Sequence, residues 1–182
     1  MKRLETAEQY DTIMGQCREI FELKTKDYGT AWRILRPASL TDQIFIKASR
    51  IRSIQQKQAM LVDESIDNEF VAIVNYSIMS MIQLDHPPQG RYELDVETAF
   101  RHYSSYAEET KQLMLQKNHD YGEAWRDMRV SSMTDLILMK LLRIKQIEEN
   151  EGKTLISEGL KANYQDIMNY AIFCLILISE KS

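Results

Sequence analysis

Two lysine–arginine pairs, Lys47-x-x-Arg50 and Lys140-x-x-Arg143, stand where apolar helical stripes should run. Met133, Ile137, Lys140, Ile144 and Ile147 follow a 4-3-4-3 spacing, and Leu40, Ile44, Lys47, Ile51 and Ile54 repeat it. An ammonium in such a stripe is costly unless its stem lets it reach water or it meets an anion. The arginine one turn on lies near the same face. A Lys-x-x-Arg pair can grip a phosphate, the lysine as a point charge and the arginine as a two-pronged donor. The competing explanation is an internal salt bridge to a helix carboxylate.

Acids and aromatics recur at fixed distances from these cations. Asp27 and Asp120 each precede Tyr-Gly, and Trp32 and Trp125 follow. An acid there can ligate a metal or accept a hydrogen bond from a sugar, and glycine permits a left-handed turn that brings backbone close to a ligand. The tryptophan and Tyr28 or Tyr121 offer faces for stacking on a nucleobase. The alternative is a helix stop in which tryptophan plugs the core and the aspartate pairs with Arg33 or Arg126. Asn163, Asp166 and Tyr170 fall on one face of a later helix. A carboxylate on an otherwise apolar helix needs a cation, either a metal or a buried partner such as Lys140 or Arg143. Oxygen-rich clusters suit Mg²⁺. Asp42 and Asp135 sit in Ser-x-x-Asp segments that resemble capping boxes, so helix capping accounts for them.

These residues come in pairs because the chain repeats itself. Residues 24–54 match 117–147 without a gap, with 16 of 31 positions identical, many of them charged or polar. A core alone would constrain mostly apolar positions, so the retained charges suggest a shared site, and a duplicated helical unit can act as a dimer fused into one chain. Each copy reads as three helices. The third, about 64–84 and 157–179, is apolar on nearly every side, which places it at the centre of a bundle. Here the copies diverge: Glu64 aligns with Glu158, but Glu69 and Ala72 align with Asn163 and Asp166. Asp85-His86-Pro87-Pro88-Gln89-Gly90 is the one breaker cluster. The expected layout is an all-α tandem duplication packed as an intramolecular pseudo-dimer: residues 1–84, a linker at 85–95, and residues 96–182.

Composition excludes several classes. Net charge is −4 and the pI about 5.5, so no global basic field attracts nucleic acid. Cys17 and Cys174 occupy unlike positions in the two copies and form no CxxC pair, which reads as buried reduced thiols. The three histidines have no zinc-ligand spacing, and neither a glycine-rich phosphate loop nor a Ser-His-Asp pattern is present. Met1-Lys2-Arg3-Leu4-Glu5 lacks a signal-peptide core, and the longest apolar run, 171–178, is far short of the ~20 residues that span a bilayer. The expectation is a soluble cytoplasmic protein with no membrane partner. Its oligomeric state is open, self-association included.

The Lys-x-x-Asp-Tyr-Gly-x-Ala-Trp-Arg block, the Ser-x-Thr-Asp start, the Lys-x-x-Arg-Ile helix and the Asp-x-x-Asn-Tyr helix resemble the nucleotide modification associated domain family. The resemblance is best over about 96–179, where Lys117, Asp120, Tyr121, Gly122, Trp125, Arg126, Lys140, Arg143, Ile144, Asp166, Asn169 and Tyr170 all stand; the first copy departs at Ala72. It implies a nucleotide ligand. The helical layout is also similar, more weakly, to the all-α nucleoside triphosphate pyrophosphohydrolases of the MazG type. Those hold Mg²⁺ with Glu-Glu-x-x-Glu and Glu-x-x-Asp helices, whereas this chain has Lys140-x-x-Arg143 and Asn163-x-x-Asp166. Two functions are therefore expected. In the first, a Mg²⁺-dependent pyrophosphohydrolase, Asp166, Glu158 and Asp120 hold the metal and orient water. Lys140, Arg143, Lys47 and Arg50 hold phosphates, and Trp125, Tyr121 and Trp32 contact the base. The second is a non-catalytic module that senses a nucleotide.

Overall fold

The computed structural model describes residues 5–57, 66–154 and 159–181. Among these the periodic segments become six helices: α1 (Thr6–Tyr28), α2 (Pro37–Lys57), α3 (Ile66–Asp85), α4 (Val96–Tyr121), α5 (Val130–Glu149) and α6 (Leu160–Lys181). No strand occurs among the described residues. Short 3₁₀ turns at Ala31–Ile34 and Ala124–Asp127 carry the two tryptophans. Each repeat is thus a long helix, a tight turn and two further helices. The chain is all-α and tandemly duplicated, as its periodicity predicts.

Gly29 and Gly122 stop α1 and α4 at φ +63° and +60°, a region that favours glycine. Their amides donate to the carbonyls of Thr25 and Asn118, 2.8 Å each. The second helix of each repeat starts earlier than the near-capping boxes imply. Pro37 opens α2 at a position where no amide donor is needed, and α5 opens at Val130. The Ser-x-x-Asp segments therefore lie inside the helices, where the hydroxyls of Thr41 and Thr134 bond back to the carbonyls of Pro37 and Val130, 3.1 Å each. Asp42 and Asp135 do not cap. They pair with Lys145 and Arg52 across the α2–α5 contact, 3.5 Å each.

α3 and α6 pack along each other at the centre, α2 covers α3, α5 covers α6, and α2 meets α5. Phe70, Ile73, Ile78 and Met81 of α3 and Ile167, Ala171, Ile172 and Ile176 of α6 are sealed from solvent. α1 and α4 lie across this layer, each touching both central helices. The twofold relation reaches individual hydrogen bonds. Tyr10 of α1 donates to Asn169 Oδ1 of α6 at 2.8 Å, and Tyr103 of α4 donates to Asn75 Oδ1 of α3 at 2.7 Å. The amide of each asparagine returns to its own repeat, Asn75 to the Cys17 carbonyl and Asn169 to the Thr110 carbonyl. The connection between α3 and α4 is tied down at Thr30, whose hydroxyl bonds both the carbonyl and the amide of Leu94. No helix among the described residues is long and apolar enough to cross a membrane.

Candidate functional site

In the second repeat the charged residues converge and neutralise one another. Asp166 is buried on α6. Its Oδ1 lies 2.7 Å from Lys117 Nζ at the end of α4, and its Oδ2 lies 2.9 Å from Lys140 Nζ on α5. Lys140 is thus satisfied within its apolar stripe by the internal carboxylate that stood as the alternative to a ligand. Arg143, one turn along, is exposed. Tyr170 borders this group, and burial, then the Asp166 charge, holds its hydroxyl above the ordinary value. Trp125 is packed away, with its ring stacked on Phe173 at 4.1 Å and 5° and the Arg126 guanidinium over it at 4.4 Å.

The first repeat arranges matching residues differently. The α3 position equivalent to Asp166 is Ala72, and the acid sits one turn earlier at Glu69, where Asn163 stands in the other copy. Glu69 takes Lys47 and Arg50, each at 3.4 Å. Met79 replaces Phe173, so Trp32 lacks the stacking partner that closes over Trp125. Between α1, the 3₁₀ turn and α3 these smaller side chains leave a cavity of about 580 Å³. That is within the range of small-molecule sites, roughly 300–1,000 Å³. Phe21, Tyr28, Trp32 and Tyr76 supply aromatic surface to it, Ala72 is part of its α3 wall, and Lys24 and Asn68 are its exposed polar residues. Phe21 is backed by Tyr103 of α4, stacked at 4.5 Å. Trp32 Nε1 is buried with no acceptor among the described residues. Lys24, the counterpart of Lys117, has no ion-pair partner there either. The cavity is therefore apolar and aromatic inside, with an uncompensated ammonium at its edge.

The remaining expected residues scatter. Asp120 is exposed beside His119, 3.4 Å away, on an open surface hollow with Leu115 and Gln116. Tyr121 is 75% exposed at the end of α4. Glu158 lies outside the described residues. The alternative Asp–Arg pairing is not formed: Arg126 bonds Glu123, Glu180, Gln9 and Thr6. Arg33 is buried against Gln83, whose amide returns to the carbonyls of Arg33 and Leu35. Among the described residues no group of three or more His, Cys, Asp or Glu side chains could hold a metal ion. Asp166, with an ammonium on each oxygen, is a poor ligand for a further cation.

Sequence reasoning gave no role to Lys24 and Lys117, although their identity in both copies was the available signal. Ala72, where the first copy departs from the second, leaves space on α3. No curated protein and no solved structure matches the chain. One family model, described as nucleotide modification associated domain 1, matches residues 24–84 and again residues 117–178, starting in each copy at the lysine of the shared block. These two segments cover well over half of the sequence, and the chain belongs to the nucleotide modification associated domain 1 family, with two copies in tandem.

Proposed function

We propose that this chain binds a nucleotide in the first-repeat cavity and acts as a sensing module rather than as a hydrolase. One observation carries the reading: a cavity of about 580 Å³ lined by Trp32, Tyr28 and Tyr76 has Lys24 beside it with no carboxylate partner among the described residues. An aromatic wall suits a base, since stacking contributes about 1–3 kcal/mol per base in single-strand binders. A lone ammonium suits a phosphate. The open Asn68 amide provides both a donor and an acceptor for a base edge. The second repeat fits a structural role, because Asp166 already fills its cationic site and Phe173 covers Trp125. The family description, which names nucleotide modification, agrees with a nucleotide ligand.

The test is a thermal-shift and calorimetric panel of nucleosides and nucleotides, each with and without Mg²⁺, with pyrophosphate release followed in parallel. The expected result is saturable stabilisation by at least one nucleotide without turnover. A ligand that binds only the native state at 100 times its Kd adds about 2.7 kcal/mol. Trp32→Ala should abolish the shift. Pyrophosphate release with Mg²⁺ would replace this reading with the hydrolase, and absence of binding by every compound would remove both.

A further inference from the structure

The outer face of α2 and α5 carries apolar side chains that no described helix packs along. α2 lies along α3 and α5, and α5 along α6 and α2. The contacts Thr41–Glu148, Asp42–Lys145, Arg52–Asp135 and Gln55–Thr134 fix the register of the pair. The two helices run antiparallel, with Ile46 opposite Leu142 and Ser49 opposite Met139. The repeat exchanges Ile46 with Met139 and Ser49 with Leu142, so the internal twofold axis passes through the middle of this group. Asp42, Ile46 and Ser49 share one face of α2, and Asp135, Met139 and Leu142 share the matching face of α5. Ile46 is 56% exposed, Leu142 52% and Met139 37%. Single exposed apolar residues need no partner, but three gathered on a symmetry axis form a patch.

Charges close the patch at both ends. Asp42 and Lys145 stand at one end, Arg52 and Asp135 at the other, 3.5 Å apart in each pair. The signs alternate around the patch, with Asp42 and Arg52 on α2 and Asp135 and Lys145 on α5. Such a pattern is complementary to itself. A second copy turned about an axis parallel to the helices lays α2 on the partner's α5. Asp42 then meets the partner's Lys145, Arg52 meets the partner's Asp135, and Ile46 meets the partner's Leu142. We propose that this face is where a second copy of the chain docks, forming a homodimer about that axis. Helices of 21 and 20 residues offer the area. At 1.5 Å per residue and a helix spacing near 10 Å the face measures about 30 by 20 Å, so a dimer buries roughly 1,200 Å² in total, the lower edge of stable interfaces. The first-repeat cavity takes no lining residue from α2 or α5 and stays open in this dimer. The proposal is therefore independent of the nucleotide reading.

Sedimentation velocity of the full chain from about 1 to about 200 μM tests this, the range in which a small interface associates. The wild type should move from a 21.4 kDa monomer toward twice that mass as concentration rises. Leu142→Glu and Ile46→Glu should each stay monomeric throughout with unchanged helical circular dichroism, because both side chains are exposed; either variant decides the matter should the other fail to fold. The exchange of Asp42→Lys with Lys145→Asp keeps the ion pair within the chain and keeps opposite signs facing across the proposed axis. It should dimerise within about threefold of the wild-type affinity. About an axis perpendicular to the helices the same exchange would set like charges against each other. A wild type that stays monomeric would overturn the proposal and leave the patch to a different protein. A dimer that survives in folded Leu142→Glu and Ile46→Glu, or one that is lost in the folded exchange variant, would overturn it as well.

Discussion

Asp166 shows how one side chain separates two nearly identical modules. It is buried on a helix that is otherwise apolar, and two lysines from different helices meet its two oxygens. Removing it strands Lys140, whose side chain is 14% exposed, more than Lys117, which at 44% can turn to water. Asp166→Ala should therefore cost about 2–3 kcal/mol in urea denaturation, below the range for a fully buried pair because a lysine stem can snorkel. Lys117→Ala should cost under about 1 kcal/mol, as expected of a half-exposed partner. His102 offers a pH-dependent counterpart. It stacks on His86 at 4.0 Å. Burial first, then the charges of His86, Arg33 and Arg101, lowers its pKa below the ordinary histidine value. The folded state thus favours neutral imidazole, and below the unfolded value, about 6.5, the unfolded chain binds more protons. The resulting stability is complete above that value and falls as the pH drops through it toward the lower folded value. Melting temperature should decline from pH 7 to pH 5, and His102→Gln should flatten the decline. An unchanged slope in the variant would remove His102 as its source.

At the level of helices the repeats are joined by reciprocal bonds. Tyr10 reaches from the first repeat to Asn169, and Tyr103 reaches from the second to Asn75. Each asparagine also holds a carbonyl of its own repeat, so losing one phenol leaves a buried amide oxygen unpaired. Tyr10→Phe and Tyr103→Phe should each cost about 1–2 kcal/mol, and double-mutant cycles with Asn169→Ala and Asn75→Ala should give similar coupling energies. Unequal coupling would mean that the twofold relation is only topological. These elements were largely legible beforehand. The 3–4 spacing gave six helices, Gly29 and Gly122 gave two stops, and the uniformly apolar third helices gave the centre. The start of α2 was misplaced because Pro37, two residues before Ser39, opens the helix where no amide donor is needed; α5 starts at Val130, again two residues before its serine, without a proline. The site was legible only in part. Spacing put Lys140 in an apolar stripe but could not say whether Asp166 or a ligand would meet it. A cavity is missing volume, and volume shows only when Ala72 and Met79 are set beside Asp166 and Phe173 in three dimensions.

For the molecule as a whole, the question is whether the fused repeats open separately or together. Each central helix is covered partly by its own repeat and partly by the other, and α3 and α6 pack along each other more extensively than along any other helix. Separating the repeats would expose that surface at about 25 cal/mol per Å² and would break both tyrosine–asparagine bonds at once. Two buried thiols report on this independently, because Cys17 lies in α1 and Cys174 in α6. Burial pushes the Cys17 thiol up to about 12 and raises that of Cys174 as well, so neither forms thiolate near neutral pH while the fold is closed. Labelling then requires opening. Because α1 is anchored to α6 through Tyr10 and to α3 through the Cys17 carbonyl, freeing either thiol requires loss of the same central layer. A disulfide reagent at pH 8 should leave both thiols unmodified in the native protein and label them at one common rate as urea is raised, with mass spectrometry separating the two peptides. Faster labelling of Cys17 than of Cys174 would show that α1 opens as its own unit and that the duplication acts as two loosely joined modules rather than one cooperative fold.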